Sequence, residues 1–232
     1  MKSFLSLTLA LCLAATTGFA DEKKTEVLFD GTSLEAFDFA EGAWEIEADG
    51  SVTGRMEEVT DKKGNRKLRG MGYLWTKEEY GDFELTLKYK LSEAANSGVF
   101  FRAVREDAIH RAHEIQIMDD EGWAKAKGEI EPRKRHGSFY EGKAPSSNPA
   151  GPVGSWDTMT VRAVGPRITC SINGVEVFDV NVDDWPEVGK NPDGMPNKFK
   201  VAIKDKPRKG YIGFQNHGQV IWFKDIELKR LD

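Results

Sequence analysis

Short runs of β-branched and aromatic residues recur along most of this 232-residue chain, separated by glycine, proline, asparagine and aspartate. Such runs are typical of β-strands that are bounded by turns. No window after Ala20 keeps the apolar spacing of an amphipathic helix over three turns. The sequence therefore predicts a single all-β domain. The expected strands are 44–48, 73–76, 83–91, 97–104, 113–118, 158–164, 168–172, 175–180, 211–215 and 220–228.

The segments between these strands differ in kind. Asn173 and Gly174 separate two expected strands by two residues that tolerate positive φ, which predicts a tight hairpin. The segments 120–155 and 183–209 have no periodicity, and loops of that length in a domain are typically functional or disordered. We expect the first of them to form a wall over a binding site.

Charge and composition exclude several classes of protein. The 33 Lys and Arg residues are outnumbered by 38 Asp and Glu, which gives a formal net charge of −5. A nucleic-acid-binding protein usually carries clustered basic residues, so no nucleic acid partner is expected. A hydrophobic content of 39% is typical of a globular protein rather than a disordered one.

The first twenty residues have the order of a cleavable export signal. Lys2 precedes an apolar run over 4–15, and small residues at Gly18 and Ala20 come directly before charged ones. The run is too short to span a bilayer. We therefore expect a signal peptide at 1–20 and a secreted or periplasmic domain at 21–232. Cleavage would remove Cys12 and leave Cys170 unpaired, as a small buried apolar residue.

Strict alternation in three strands predicts one polar face. Neighbouring side chains in a strand point to opposite sides of the sheet, so apolar residues such as Ile115 and Ile117 face the core. The outer faces of antiparallel sheets usually contact water, and that explanation stays open here. The set nevertheless suits sugar hydroxyl groups, which need polar groups beside an apolar platform. The residues expected on this face are Phe100, Arg102, Glu114, Gln116, Gln215 and His217.

The remaining histidines and aromatic residues divide by position. His113 lies next to Glu114 in the strand and therefore points to the opposite face. It is expected on the core side, half-buried and with its hydrogen bonds satisfied. His217 lies at a strand end, where it either closes a turn or acts in acid–base chemistry. The candidates for stacking on a sugar are Trp156, Tyr140, Trp222 and Phe100. Those expected to be packing groups are Trp44, Trp75 and Trp185.

Several sequence blocks, taken in order, resemble the 3-keto-disaccharide hydrolase domain family over 26–231. Each block is weak alone, whereas their order together is specific. The blocks are Leu28-Phe29-Asp30-Gly31, Asn96-Ser97-Gly98-Val99-Phe100-Phe101-Arg102, His113-Glu114-Ile115-Gln116-Ile117-Met118-Asp119, Gly137-Ser138-Phe139-Tyr140, Gly154-Ser155-Trp156-Asp157 and Gly213-Phe214-Gln215-Asn216-His217-Gly218.

The resemblance implies a concanavalin A-like jelly-roll sandwich of two curved antiparallel sheets, with the ligand on the concave face. It also implies cleavage of glycosides whose sugar has been oxidised to a ketone at carbon 3. The family commonly has Tyr at 113, Asn at 157 and Arg-Asn at 224–225, where this chain has His113, Asp157 and Lys224-Asp225. These departures bear on substrate specificity.

The spacing of acidic groups favours one kind of chemistry. Ordinary glycoside hydrolysis needs two carboxyl groups. Glucanases of this fold carry Glu-x-Asp-x-x-Glu on one strand, and this chain has Glu114-x-Gln116-x-x-Asp119 in its place. A ketone at carbon 3 acidifies the hydrogen on carbon 2, so one base can start an elimination, after which water adds back.

The elimination needs a base, an acid and a group that stabilises the enolate oxygen, and the sequence offers a candidate residue for each. We expect Glu114 to act as base, His217 or Asp119 as acid, and Arg102 to stabilise the enolate oxygen. A divalent cation, Ca²⁺ or Mg²⁺, is a further candidate at that oxygen, because Asp119-Asp120-Glu121 clusters carboxylates; a plain acidic turn is the alternative. The residues expected to bind the sugar are Gln116, Gln215, Tyr140, Trp156 and Asn96.

Two other functions remain open at this point. The same sandwich serves lectin-like binding modules without catalysis, because a fold does not dictate a function. A conventional glucanase is the second alternative, although the amide of Gln116 disfavours it.

Overall fold

The computed structural model describes residues 25–232. The expected signal peptide at 1–20 and Cys12 lie outside the described residues. Within the described part of the chain, no helix is long and apolar enough to cross a membrane.

Fifteen strands and two α-helices make up the described elements. The strands are β1 Thr25–Phe29, β2 Phe37–Asp38, β3 Trp44–Ile46, β4 Val52–Gly54, β5 Met56–Thr60, β6 Arg66–Gly70, β7 Leu74–Thr76, β8 Phe83–Leu91, β9 Asn96–Ala103, β10 His113–Met118, β11 Trp156–Val164, β12 Arg167–Ile172, β13 Val175–Asn181, β14 Tyr211–Phe214 and β15 Ile221–Arg230. The α-helices are α1 Ala108–Arg111 and α2 Asp120–Lys127, and 3₁₀ helices span Arg105–Asp107, Pro132–Lys134, Val182–Asp184 and Ile203–Asp205.

Two antiparallel sheets form the sandwich. The larger has eight strands in the order β13-β12-β11-β8-β15-β4-β3, with β1 paired to β15. The smaller has five strands in the order β10-β9-β14-β7-β2, and β5 and β6 form a separate hairpin. The all-β, concanavalin A-like sandwich predicted from the sequence is confirmed.

The core lies between the inner faces of the two sheets. In β8 each buried residue alternates with a half-buried one, so Leu85 and Leu87 face inward while Thr86 and Lys88 face outward. Ile115 of β10 meets them from the other sheet within the same apolar cluster. Full burial of such a side chain stabilises the fold by about 1.5–3 kcal/mol. Cys170 is a buried free thiol in this core, as expected.

Each of the expected strands is present, with ends that differ by one or two residues. The strands that the sequence analysis did not predict are β1, β2, β4, β5 and β6. Two of these are only two or three residues long, and the β5–β6 hairpin is largely exposed, so none carries a strong apolar alternation. The hairpin at Asn173 and Gly174 is confirmed, with φ of 50° and 78°.

His113 lies on the core side of β10, as expected, but it is fully buried and unsatisfied. Its ring centroid is 5.4 Å from that of Phe101 and 5.6 Å from that of Phe139. Neither ring nitrogen has a hydrogen-bond partner, so the expected satisfied histidine is wrong in that respect. Burial holds its pKa well below the usual value, and the imidazole is therefore neutral.

Candidate active site

A pocket of about 160 Å³ opens on the face of the five-stranded sheet that is turned away from the core. It brings together seven of the residues selected from the sequence, and three others that were not selected. The lining residues are Tyr73, Asn96, Phe100, Ile109, Glu114, Gln116, Tyr140, Lys198, Gln215 and His217.

The register of β9 and β10 explains how the polar groups meet. Glu114 lies opposite Phe100, and Gln116 lies opposite Gly98. The backbone N–H of Gln215 donates to the carbonyl of Gly98 at 3.0 Å, which attaches the end of β14 to the other edge of β9. Because side chains at alternate positions share a face, Glu114 and Gln116 point into the pocket while Ile115 is fully buried in the core.

Glu114 occupies the space that a missing side chain leaves at Gly98. A Cβ added at Gly98 would lie 2.4 Å from Oε1 of Glu114. Burial raises the pKa of Glu114 to about 8, and the positive charges of Lys198 and Lys206 only partly oppose that rise. The carboxyl group is therefore mostly protonated at neutral pH.

Two amide side chains are oriented by hydrogen bonds within the pocket. Nε2 of Gln116 donates to Oδ1 of Asn96 at 3.2 Å, and Nε2 of Gln215 donates to the hydroxyl of Tyr73 at 3.1 Å. These bonds leave the amide oxygens of both glutamines as acceptors. Such fixed amides are suited to binding sugar hydroxyl groups.

Aromatic rings supply the apolar part of the site. The ring of Tyr73 stacks on that of Trp75 at 5.0 Å and meets the edge of Phe100 at 5.2 Å. Tyr140 is tied to β10 because its N–H donates to the carbonyl of Glu114 at 3.0 Å. Nζ of Lys198 lies 4.3 Å from the centre of the Tyr140 ring, which places a positive charge at the pocket.

His217 borders the pocket at the end that β14 leads into. The residue is exposed, and its ring meets the edge of Trp123 from α2 at 5.8 Å between centroids. Desolvation lowers the pKa of His217 from its usual value, although a side-chain hydrogen bond with Gln219 acts in the opposite sense. The imidazole is therefore neutral at pH 7.

Lys206 lies buried close to the same strand. Its Nζ donates to the carbonyl of Ala112 at 2.6 Å, two residues before Glu114, and lies 3.3 Å from the centre of the Phe199 ring. Burial lowers the pKa of Lys206 to about 7, while the charge of Glu114 acts to raise it. The charges of Glu114, which lines the pocket, and of Lys206, which lies beside it, thus act on each other.

Comparison with known proteins identifies the family to which the chain belongs. The model of the 3-keto-α-glucoside-1,2-lyase-like domain matches residues 24–229. The chain belongs to this family. This confirms the resemblance that the ordered sequence blocks indicated.

Relatives of this lyase-like domain occur in Bacteroides thetaiotaomicron and Parabacteroides distasonis. A 3-keto-disaccharide hydrolase of Bacteroides thetaiotaomicron is 24% identical over 174 residues, and the match covers 66% of this chain and 60% of that relative. A crystal structure of a candidate glycosyl hydrolase from Parabacteroides distasonis is 30% identical, covers 90% of this chain and all of that one, and has a TM-score of 0.76. A second from that organism, 19% identical with 90% and 94% coverage and a TM-score of 0.68, shares the fold.

Arg102 does not reach the pocket of this lyase-like domain, so its expected role at the enolate oxygen is corrected. Its φ is 49°, and the pairing of β14 with β9 shifts register beside it, which is a β-bulge. The bulge breaks the alternation, and the fully buried guanidinium instead donates to the carbonyls of Gly81 and Gly165 and to Asp82. Arg102 therefore holds the strand ends together.

Asp119 is likewise displaced from the expected acid role. Its Oδ1 accepts from the N–H of Gly122 at 3.1 Å, and its Oδ2 accepts from the N–H of Ala94 at 2.8 Å. The first bond makes Asp119 the N-cap of α2. Both oxygens are therefore occupied by backbone groups away from the pocket.

Trp156 lies on the outer face of the eight-stranded sheet, opposite Lys90 of β8. Nζ of Lys90 is 4.8 Å from the centre of its ring, and Nζ of Lys224 is 4.2 Å away. Trp222 shares that face, with the same Lys90 at 4.4 Å. The expectation that Trp156 stacks on the sugar in the pocket is corrected, because the core separates the two faces.

The described residues do not fit a divalent cation. No group of three or more His, Cys, Asp and Glu side chains in 25–232 is arranged to hold a metal ion. Asp120 accepts from the N–H of His136, and Asp119 caps a helix, so two of the three clustered acids bind backbone groups.

The site residues that the sequence analysis did not select have different origins. Tyr73 was taken as part of a strand, and Ile109 belongs to a one-turn helix. Lys198 and Lys206 come from the segment 183–209, which has no periodicity and was expected, as a long loop, to be functional or disordered. No lysine of this segment was selected from the sequence.

Proposed function

We propose that this protein is a secreted enzyme that cleaves 3-keto-glycosides by elimination and hydration. The observation that carries the proposal is the pairing of Glu114 and His217 in one small pocket, with pKa values pushed in opposite directions. Groups whose environments separate their pKa values in this way are typical acid–base pairs. Membership of the lyase-like family supports the same reaction class.

The pKa directions favour roles opposite to those expected from the sequence. At neutral pH, Glu114 is mostly protonated and can give a proton, whereas His217 is neutral and can accept one. We therefore assign His217 as the base at carbon 2 and Glu114 as the acid at the glycosidic oxygen. Asn96, Gln116 and Gln215 bind the hydroxyl groups of the sugar.

The reaction balances with these groups alone. His217 takes the proton from carbon 2, and the electron pair of that bond forms a double bond between carbons 1 and 2. The bond between carbon 1 and the glycosidic oxygen breaks, and the departing oxygen takes the proton of Glu114. Water then adds to carbon 1 and gives its proton to the Glu114 carboxylate, while carbon 2 regains the proton held by His217, so both groups return to their starting states and the net change is hydrolysis.

Lys198 takes the place that Arg102 was expected to hold. A positive charge near the ketone stabilises the enolate oxygen that develops when carbon 2 loses its proton. Lys198 lines the pocket and carries that charge above the ring of Tyr140. Removal of such a group typically costs about two to three powers of ten in turnover.

The first experiment compares a 3-keto-glucoside with its ordinary glucoside. We expect release of the aglycone from the keto form alone. Cleavage of both would support a conventional glycosidase, and binding without turnover would support a lectin-like module; either result would overturn the proposal. Detection of the cleaved protein outside the cytoplasm would test secretion.

A second experiment separates acid from base. An acid is dispensable when the leaving group is already acidic, so Glu114→Gln should lose at least about a hundredfold in turnover with an alkyl aglycone but little with 4-nitrophenol. His217→Ala should lose activity with both and should also stop hydrogen exchange at carbon 2. The opposite pattern would restore the roles expected from the sequence.

A further inference from the structure

A second, larger groove adjoins the Glu114 pocket. Its volume is about 730 Å³, and it shares Tyr73, Gln215 and His217 with the pocket. The pocket itself is smaller than the roughly 300–1,000 Å³ of sites that enclose a whole drug-sized ligand. A substrate of two parts that places its sugar beside Glu114 therefore extends past His217 into this groove.

The walls of the groove are packed firmly against the sheet. The hairpin β5–β6 forms one wall, and α2 forms another. Asn216 joins the hairpin to β14, because its Nδ2 donates to the carbonyl of Arg55 at 2.6 Å. Gly54 and Gly70 pass so close that an added Cβ would lie 2.4 Å and 2.0 Å from atoms of Asn216.

The groove is positively charged. Lys67, Arg69 and Lys127 line it, together with the ring of Trp123, and no Asp or Glu is among its lining residues. Arg69 is neutralised by Glu57 at 2.6 Å. In the described part of the chain, neither Lys67 nor Lys127 forms a close ion pair, although the charge of Lys67 also acts on the carboxylate of Asp61. The two ammonium groups come from opposite walls of the groove.

We propose that this groove binds the leaving group of the substrate and favours leaving groups that carry an anion, either a carboxylate or a sulfonate or sulfate. The inference rests on the proposed function. Lys67 and Lys127 attract the anion, and Trp123 and Tyr73 offer ring faces to the rest of the group. His217, which contacts Trp123, lies where the two parts of the substrate meet.

The test uses 3-keto-glucosides of 4-hydroxybenzoate and of 4-hydroxybenzamide, which have similar size and differ in charge. We expect kcat/KM to be at least about fivefold higher for the carboxylate. Lys67→Ala and Lys127→Ala should each reduce that ratio by about threefold, because each removes one charge from an exposed site. Lys125→Ala, an exposed lysine on α2 outside the groove, is the matched control and should keep the ratio.

Added salt should reduce the preference, since exposed charges are screened. The corresponding 4-hydroxybenzenesulfonate distinguishes a sulfonate-preferring site from a carboxylate-preferring one. Equal kcat/KM for the charged and neutral substrates would overturn the inference and leave the proposed function intact.

Loss of the proposed function has a different signature. If neither keto substrate is turned over, binding of the two ordinary glucosides is measured by tryptophan fluorescence. A preference for the carboxylate that Lys67→Ala reduces would still support the groove. Equal binding would overturn it.

Discussion

Gly98 and Glu114 lie on neighbouring strands in an arrangement that only glycine allows, because a Cβ at 98 would approach Oε1 of Glu114 to 2.4 Å. The Asn-Ser-Gly block therefore has a physical meaning: its glycine provides room for the carboxyl group of the next strand. The position of the Glu114 carboxyl, the proposed acid, therefore requires that residue 98 has no side chain.

This relationship predicts the effect of Gly98→Ala. The new methyl group should displace the carboxyl of Glu114 and lower kcat by about tenfold or more, since a small misplacement of a reacting group is costly. The loss should nearly vanish when Glu114→Gln has already removed the acid, which a double-mutant cycle would measure. Additive losses would show that Gly98 acts elsewhere.

The pH dependence of activity follows from the two shifted groups. His217 must be neutral and Glu114 protonated, so kcat/KM should rise through a pKa below the ordinary value of histidine and fall above a pKa of about 8. Glu114→Gln should remove the alkaline limb from the residual activity on an alkyl glycoside, the kind of substrate for which the acid is needed. A limb that persists in this variant would assign it to another residue, such as Lys206.

Stability should change with pH for the same reason. The unfolded chain ionises Glu114 near its ordinary pKa, whereas the folded protein keeps it protonated up to about pH 8. The folded state thus binds the extra proton in that window, and its stability falls as pH rises through it. Glu114→Gln should stabilise the protein by about 2–4 kcal/mol at pH 8 and by nearly nothing at pH 4. Urea unfolding at both values would measure this, and an equal effect at both would contradict the burial of the charge.

Arg102 and Asp119 should behave as structural residues. Arg102→Met leaves Asp82 and two carbonyl groups without their partner, so we expect a loss of about 3 kcal/mol in unfolding free energy.

Asp119→Ala removes a helix cap and should lower the free energy of unfolding by about 1–2 kcal/mol. Folded Asp119→Ala should keep kcat within about twofold at a temperature well below its Tm, and a loss of a hundredfold would restore its catalytic role.

Much of the site could be predicted from local pattern. The alternation in β10 placed Glu114 and Gln116 on one side and Ile115 and Ile117 on the other, and the structure agrees because that strand pairs regularly with β9. The same rule failed for Arg102, one strand away. Side chains alternate between the two faces of a sheet only where the hydrogen bonds between the strands follow a regular pattern. A bulge adds a residue to one strand, and the side chains after it then point to the opposite face.

The sequence by itself determined ten of the fifteen described strands, the sandwich and the family, because these follow from alternation and from ordered blocks along the chain. Only the tertiary structure decided which charged groups serve the pocket. Lys198 and Lys206 come from a segment without periodicity, and Asp119 caps a helix instead of facing the sugar. Such positions are set by contacts between residues far apart in the chain, and the same burial shifts the pKa values of Glu114 and His217 in opposite directions.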